Sequence, residues 1–160
     1  MIPIISWLFA RGEPILSVAG PHDAGALALL HAASFHRGWS EGEFEQLLLD
    51  RNVIAHRAAV AGSVVGFIVS RLVAGEAEIL SVAVARSRRG KGLGRQLLDL
   101  HLRRLAGLGI RAVFLEVDAN NAPARRLYER AGFRGVGRRE GYYSNGQGSA
   151  ALILRRDLGQ

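Results

Sequence analysis

The sequence predicts a single α/β domain in which one mixed sheet is layered with helices. The chain has 160 residues, and 49% of them are hydrophobic, which is enough for one compact core. Short β-branched runs alternate with segments of helical period and give the order α-α-β-β-β-α-β-α-β-β. No repeat or low-complexity linker divides the sequence. We therefore expect one domain over residues 1–160, including an apolar N-terminal extension at 1–13.

The first half of the chain predicts two helices and then three strands. Apolar residues at helical spacing predict the first helix over 23–35. Ser40 and Glu43 have the spacing of a capping box, which predicts a second helix that runs to about Asp50. A hairpin turn that contains Gly62 is expected between the first two strands. The strands are predicted over 53–60, 64–72 and 78–84.

The second half predicts helices that alternate with strands. Leucines at helical spacing from Leu97 to Leu105 predict a long helix, which the following glycines are expected to end. Pro123 near a first turn predicts the start of a shorter helix, and Gly132 is expected to end that one. The helices are predicted over 93–108 and 123–130, and the strands over 112–117, 133–139 and 150–154.

The composition argues against metal and disulfide chemistry. The sequence contains no cysteine, so disulfides and thiolate metal sites are excluded, and a reducing cytoplasm is the expected compartment. The histidines lack the spacing of metal ligands, and we interpret them as surface or core residues, so we expect no metal. They are His22, His31, His36, His56 and His101.

The chain is strongly basic, with a formal net charge of +7 and a pI of about 11.1. Nearly all of this charge comes from arginine, and Lys91 is the only lysine. A basic surface favours anionic ligands, although codon usage that favours arginine would give the same composition. Few aromatic residues cluster with the arginines and no nucleic-acid-binding signature is present, so we do not expect direct nucleic-acid binding.

The first nine residues are apolar, but their pattern does not match a targeting signal. They lack the basic region and the small-residue cleavage site of a secretory signal peptide. They are also too short to span a bilayer. We expect this segment to pack on the domain or on a partner chain, and we expect no membrane association.

A glycine-rich loop with several cations, at 86–95, joins the third predicted strand to the long helix. Backbone N–H groups at a helix start have no intrahelical partner, and glycines let a phosphate approach them closely. The loop therefore predicts an anion site, although a tight turn with solvated arginines would have the same composition. The loop is not a P-loop, because Gly92 rather than Ser or Thr follows Lys91. It is also not a Rossmann fingerprint, which would need a glycine at the position of Arg95.

Two motifs resemble those of the GNAT acetyltransferases. Arg89-x-x-Gly92-x-Gly94 resembles the pyrophosphate-binding loop of that family, Q/R-x-x-G-x-G/A. Residues 121–133 match the family signature N-x-x-A-x-x-L-Y-x-x-x-G-F. The resemblance covers roughly residues 53–143. It implies the GNAT fold, a mostly antiparallel twisted sheet with helices on both faces, and it implies acetyl-CoA as co-substrate.

The resemblance also assigns the residues that bind acetyl-CoA. In the family, the strand before the loop hydrogen-bonds the pantetheine arm, and the asparagine of the signature contacts the same arm. That asparagine is Asn121 here, and it would also suit a helix N-cap, a role compatible with the first. The residues implied are Val82, Ala83, Val84, Arg89, Gly90, Lys91, Gly92, Leu93, Gly94, Arg95, Asn121 and Tyr128.

Acetyl transfer to an amine requires a base for the amine and an acid for the leaving thiolate. Glu116 lies in an otherwise apolar strand, where burial would make its carboxylate a stronger proton acceptor. The resemblance implies that Glu116 is the base and that Tyr128 is the acid that faces the CoA sulfur. The alternatives are a strand acid that faces solvent and a core tyrosine whose hydroxyl is already hydrogen-bonded.

On the acceptor side, the chain is most similar to the RimI proteins of the GNAT family, which acetylate the N-terminal alanine of a small-subunit ribosomal protein. By this resemblance Trp39, Tyr142 and Tyr143 bind the acceptor, although Trp39 would equally suit the core. The chain departs from the RimI pattern twice. Gly38 replaces the usual proline, and the stretch 146–150 lacks the acid that usually precedes the alanine.

Two alternative functions remain open at this point. An acetyltransferase for a small-molecule amine would share the same donor site. A non-catalytic CoA-binding module is disfavoured by the presence of both Glu116 and Tyr128. Glu41, Glu43 and Glu45 either form a solvated helix face or line the acceptor groove, where they would attract a cationic substrate terminus.

Overall fold

The computed structural model describes residues 12–141 and 150–159. Within that part, the chain forms two compact units. The first unit contains the residues up to Val69 together with Ser81–Leu97. The second unit contains Ser70–Leu80 together with the residues from Leu98 onward.

The described helices and strands follow the predicted order, with one additional strand at the start. The strands are β1 (Ile15–Val18), β2 (Val53–Val60), β3 (Ser63–Val73), β4 (Glu76–Val84), β5 (Ala112–Asp118), β6 (Arg134–Arg139) and β7 (Ala151–Asp157). The helices are α1 (Ala24–Ser34), α2 (Glu41–Leu49), α3 (Leu93–Gly107) and α4 (Ala122–Arg130). Each predicted helix and strand is present, and its ends differ from the predicted ones by at most three residues.

The seven strands form one mixed sheet in the order β1-β2-β3-β4-β5-β7-β6. β1 pairs antiparallel with β2, β5 with β7, and β6 with β7. β4 and β5 are parallel, as expected for strands that are joined through a crossover helix, here α3. The predicted mixed α/β class is confirmed.

Two-residue turns join β2 to β3 and β3 to β4. Ala61 and Gly62 have φ values of 49° and 82°, and Ala74 and Gly75 have values of 52° and 81°. Positive φ at both central positions is the geometry of a type I′ turn, whose twist matches that of the flanking strands. The predicted hairpin turn at Gly62 is therefore present, and the second hairpin uses the same Ala-Gly pair.

β1 is the strand that the sequence analysis did not predict. Ile15 and Val18 at its ends are exposed, so β1 lacks the apolar alternation of a half-buried strand. Its register is set by β2, because Ile15 pairs with Ala59 and Val18 pairs with His56. A four-residue strand that is held by a distant segment leaves little trace in the local sequence pattern.

The leucine face predicted for α3 is buried in the core. Leu97, Leu98, Leu102 and Leu105 are each at most 4% exposed. Burial of large aliphatic side chains along one helix face is the main source of stability for such a helix.

The apolar N-terminal segment lies outside the described residues, so the expectation that it packs on the domain or on a partner stays a prediction. Among the described helices, none has the length and apolar character needed to cross a membrane.

Candidate active site

The glycine loop forms a junction between β4 and α3, as predicted. A short 3₁₀ turn over Arg86–Arg88 follows β4, and Gly90 and Gly92 then adopt φ values of 75° and 82°. This left-handed geometry favours glycine, because a side chain would clash with its own backbone. No atom lies within 4 Å of the position that a Cβ at Gly92 would take. The loop therefore leaves open space beside the start of a helix.

The first turn of α3 has backbone N–H groups of the kind that bind anions. The N–H of Gln96 donates to the carbonyl oxygen of Gly92 at 3.0 Å, which closes the first helical hydrogen bond. The N–H groups that precede it have no carbonyl to reach within the helix, and the helix dipole places positive potential at the same end. This arrangement suits a phosphate or pyrophosphate.

Two of the loop cations brace the loop. The guanidinium of Arg89 donates to the Val84 carbonyl oxygen at 2.9 Å and to the Ser34 hydroxyl at 3.3 Å. The Lys91 ammonium lies 3.4 Å from the Ser87 carbonyl oxygen. These side chains contribute positive charge to the loop, but each of them already donates to another part of the protein. The backbone of the loop is thus the better candidate for direct contact with phosphate.

A glycine on β3, which the sequence analysis did not single out, sets the position of the helix start. A Cβ at Gly66 would lie 3.0 Å from Leu97 Cδ1 and 3.3 Å from the Ala83 carbonyl oxygen. Leu93 and Leu97 are buried over this position. Gly66 therefore allows the first turn of α3 to pack closely on the sheet, which fixes where its N–H groups lie.

The residues predicted to hold pantetheine lie at the end of β4. The parallel ladder with β5 covers Glu76 to Glu78, so Val82, Ala83 and Val84 continue past the paired part of β4 on that side. Ala83 is buried, while Val82 and Val84 are partly exposed. A strand edge without a neighbouring strand has backbone groups that are available to a ligand.

Glu116 occupies the middle of β5, where it pairs with Ile153 of β7. The expectation of an apolar, buried environment is wrong. The Glu116 side chain is 27% exposed, and its Oε1 accepts a hydrogen bond from Arg139 Nη2 at 2.8 Å. The residues on either side of it, Leu115 and Val117, are buried because they project to the opposite face of the strand.

Tyr128 lies on α4 and is 8% exposed. Its ring packs edge-on against Phe133, and burial raises the pKa of its hydroxyl to about 12. The acid role of this hydroxyl and the alternative of a core tyrosine with a satisfied hydroxyl both stay predictions. The structure shows a buried ring whose hydroxyl stays protonated at neutral pH.

Asn121 is the N-cap of α4. Its Oδ1 accepts from the N–H of Ala124 at 3.2 Å, which leaves the side-chain amide NH₂ available as a donor. The N-cap role is confirmed, and the pantetheine contact stays a prediction.

At the other end of α4, Gly132 has a φ of 90°, which turns the chain so that the Phe133 N–H donates to the Tyr128 carbonyl oxygen. The signature residues thus define the two ends of one short helix.

Trp39 belongs to an aromatic cluster of the first unit. Its ring stacks on His31 with 4.4 Å between centroids. The backbone N–H of Trp39 donates to His31 Nδ1 at 3.1 Å. Burial lowers the pKa of His31, and the nearby Glu43 carboxylate partly opposes this shift. A Cβ at Gly38 would lie 3.2 Å from Cα and Cβ of Ala32, so glycine at this position permits a close approach to α1. That contact gives a physical reason for the departure from proline.

The other residues predicted on the acceptor side have different outcomes. Glu43 completes the predicted capping box, because its carboxylate accepts from the Ser40 N–H at 2.8 Å. Glu41 and Glu45 are exposed on the same helix. Tyr142 and Tyr143 lie outside the described residues. Within residues 12–141 and 150–159, no group of three or more His, Cys, Asp or Glu side chains is placed to hold a metal ion.

The candidate residues divide between the two units. The end of β4, the glycine loop and Trp39 belong to the first unit, and Glu116, Asn121 and Tyr128 belong to the second. Arg139, which contacts Glu116, was not predicted, since nothing in the local sequence distinguishes it from Arg138.

Comparison with known proteins shows the family of the chain. The sequence profile of the acetyltransferase (GNAT) family matches residues 25–133, a span that includes the glycine loop, Glu116 and Tyr128. The chain belongs to the GNAT acetyltransferase family. It is an N-acetyltransferase that uses acetyl-CoA as its donor, as the GNAT loop and signature imply.

Relatives of known name agree with this assignment. The [ribosomal protein bS18]-alanine N-acetyltransferase of Escherichia coli K12 is 32% identical over 116 residues, which cover 72% of this chain and 78% of the relative. The crystal structure of the ribosomal-protein-S18-alanine N-acetyltransferase from Escherichia coli matches with a TM-score of 0.86 and 26% identity, over 92% of this chain and 96% of that one. The structure of Ard1 from Thermoplasma volcanium matches with a TM-score of 0.83 and 28% identity, over 92% and 99%.

Proposed function

We propose that this GNAT enzyme acetylates the N-terminal α-amine of a protein, with a ribosomal protein as the acceptor. The observation that carries the proposal is the 32% identity, over 72% of the chain, to an enzyme named for the alanine of ribosomal protein bS18. A TM-score of 0.86 to a crystal structure named for the same activity supports it. A ribosomal acceptor would place the enzyme in the cytoplasm.

On the donor side, the backbone of the loop fits the phosphates of CoA. Positive φ at Gly92 and the open space beside it would admit a phosphate against the first turn of α3. The backbone of β4 over Val82–Val84 would bond the pantetheine arm, and the amide NH₂ of Asn121 would donate to the same arm. We further propose that the chain works as one acetyltransferase domain, because the family profile spans residues of both units.

Glu116 and Tyr128 would divide the two proton transfers. Acetyl-CoA supplies the thioester that the amine attacks. The Glu116 carboxylate takes the proton that the attacking amine loses, directly or through a water. Tyr128 donates its phenolic proton to the sulfur as the carbon–sulfur bond breaks. Its pKa of about 12 keeps that proton on the hydroxyl at neutral pH, so the group is present in its acid form.

On the acceptor side, Trp39 would form part of the groove wall. Its ring is held on one face by His31 and is only partly buried, so the remaining surface is available to a substrate side chain. Tyr142 and Tyr143 would complete the groove by the resemblance to RimI. A small-molecule amine is the weaker candidate, because the relatives described above are named for a protein acceptor.

The acceptor is tested with peptides. A peptide with a free N-terminal alanine should be acetylated, and the same peptide with a blocked N-terminus should not react, even when it contains lysine. Mass spectrometry locates the acetyl group. Modification of a lysine side chain, or faster turnover of small amines than of any peptide, would contradict the proposed acceptor.

A further inference from the structure

Arg139 contacts the proposed base, although sequence reasoning gave it no role. Its Nη2 donates to Oε1 of Glu116 at 2.8 Å. The two residues are 23 positions apart, on β6 and β5, and β7 lies between these strands in the sheet. The contact therefore spans a whole strand and depends on the register of the sheet.

A β-bulge in β6 determines which arginine reaches Glu116. Gly135 pairs with Leu154, and Gly137 pairs with Ile153, so Val136 is an extra residue in the ladder. Directly paired residues project to the same face, and Ile153 is also paired with Glu116. The bulge thus places Gly137, and Arg139 two residues further on, on the face of Glu116. Without it, the alternation would place Val136 and Arg138 there.

The same register clears a path for the Arg139 side chain. Gly137 lies in the row of Glu116 and Ile153 and has no side chain, and a Cβ there would approach Ile153 Cδ1 to 3.1 Å. Arg139 sits one row along and crosses this gap to reach the carboxylate. A larger residue at 137 would stand between the two groups.

The other charged groups on this face are engaged with different partners. Asp118 accepts from the Asn120 N–H at 2.9 Å. Arg155 donates to Asp157 at 2.8 Å. Arg139 is therefore the cation that the described structure pairs with Glu116 on this face.

We propose that Arg139 is a positioning residue for the Glu116 base. It holds Oε1 in place and leaves Oε2 to accept the amine proton. The proposal rests on the proposed role of Glu116. A purely structural role does not fit, because the Arg139 side chain is 52% exposed and lies on an edge strand, where an ion pair adds little stability.

The test compares Arg139→Gln with Arg139→Lys and with a matched control, Arg138→Gln. Arg138 is the neighbouring arginine on β6, has similar exposure, and pairs with Glu140. Steady-state kinetics with an alanine peptide should show kcat lower by about fivefold in Arg139→Gln, as expected for loss of one partly exposed charge contact. KM for acetyl-CoA should stay the same, because Arg139 acts on the group that takes the proton and not on donor binding.

Arg139→Lys should restore part of kcat, since it keeps a cation that can donate to Glu116, while Arg138→Gln should match the wild type. Acetyl-CoA affinity and the melting temperature should stay the same in all three variants. If Arg139→Gln and Arg138→Gln have the same kcat, Arg139 has no positioning role.

A double-mutant cycle separates this inference from the proposed function. In a Glu116→Gln background, Arg139→Gln should cause no further loss, because the group it positions is gone. An equal loss in both backgrounds would contradict positioning through Glu116. If Glu116→Gln alone keeps wild-type turnover, the base assignment itself fails, which is a different result from an inert Arg139.

Discussion

The glycine loop of the first unit and the acid–base residues of the second unit are built in different ways. The loop is one continuous segment whose useful groups are backbone N–H atoms, and its glycines hold the required φ values. The proposed acid–base set uses side chains from β5, α4 and β6, and the contact between Arg139 and Glu116 forms only when the sheet is in the correct register. A site made of one continuous segment can be found in the sequence as a motif. A site made of side chains from several elements can be predicted from the sequence only in part.

This difference predicts how each region responds to substitution. Replacing a loop glycine changes the backbone and should affect donor binding. Replacing Glu116 or Tyr128 with an isostere leaves the backbone in place and should affect only the chemical step. The predictions below test this division, beginning with the largest effect.

Glu116→Gln should lower kcat by roughly 10²-fold or more at neutral pH, because the amide keeps the shape of the carboxylate but cannot accept the proton. Part of the loss should be recovered at high pH, where the amine deprotonates unaided. The measurement is the steady-state rate against pH. Glu78→Gln, which changes an exposed acid of the neighbouring strand β4, is the matched control and should behave as wild type. Wild-type turnover in Glu116→Gln would assign the base elsewhere.

Gly92→Glu should weaken acetyl-CoA binding by roughly 30-fold, a loss of about 2 kcal/mol, because it puts a side chain and a negative charge where phosphate would lie. Gly62→Glu is the control for backbone strain. Gly62 has the same φ of 82° and the same open surroundings, but it lies in the β2–β3 turn. Both variants should lose similar stability, and only Gly92→Glu should lose affinity in calorimetry. Equal acetyl-CoA affinities in Gly92→Glu and Gly62→Glu would show that the phosphates do not bind at the loop.

Tyr128→Phe should lower kcat by about tenfold, which is below the usual range of about 10²- to 10⁴-fold for acid–base catalysis, because a thiolate also leaves without a proton. Phenylalanine keeps the packing of the buried ring against Phe133, so the melting temperature should stay close to that of the wild type. A thermal melt and steady-state rates check both statements. Normal turnover would show that the thiolate leaves unassisted.

Acid should destabilise the aromatic cluster around His31. Its pKa in the folded chain lies below the ordinary value of about 6.5, so the unfolded chain binds more protons as the pH falls below that value. Stability should therefore fall from about pH 6.5 down to the folded pKa and then level off. The expected change in melting temperature is at most about 4 °C.

His31→Asn keeps an acceptor for the Trp39 N–H and does not titrate, so it should lose this part of the pH dependence. His22→Asn, at a histidine whose side chain is 74% exposed, is the control and should keep it. The comparison is made with thermal melts at several pH values. An unchanged pH dependence in His31→Asn would show that another group causes it.

Most of the fold was predictable because its elements carry local signals. The capping box at Ser40, the leucine face of α3 and the glycine at Gly62 each define one element without reference to the rest of the chain. β1 lacked such a signal, since its pairing with β2 is non-local and its outer residues are exposed. Strand pairing depends on packing partners more than on intrinsic preference.

The candidate site was predictable to the extent that it follows motifs. Tyr128 and Asn121 come from one contiguous signature, and the structure agrees with the N-cap role of Asn121. The environment of Glu116 was predicted incorrectly, because the apolar residues beside it face the other side of β5 and say nothing about its own side. The Arg139 contact depends on a bulge two strands away, which no local pattern reveals.

One pair of variants tests the central claim, that the loop binds the donor and that the side chains of the second unit catalyse the transfer. Acetyl-CoA affinity by calorimetry and turnover at saturating acetyl-CoA are measured on folded Gly92→Glu and on Glu116→Gln. The account predicts that Gly92→Glu binds acetyl-CoA weakly but turns over once saturated, and that Glu116→Gln binds normally but does not turn over at neutral pH. Normal affinity in Gly92→Glu, or normal turnover in Glu116→Gln, would contradict it.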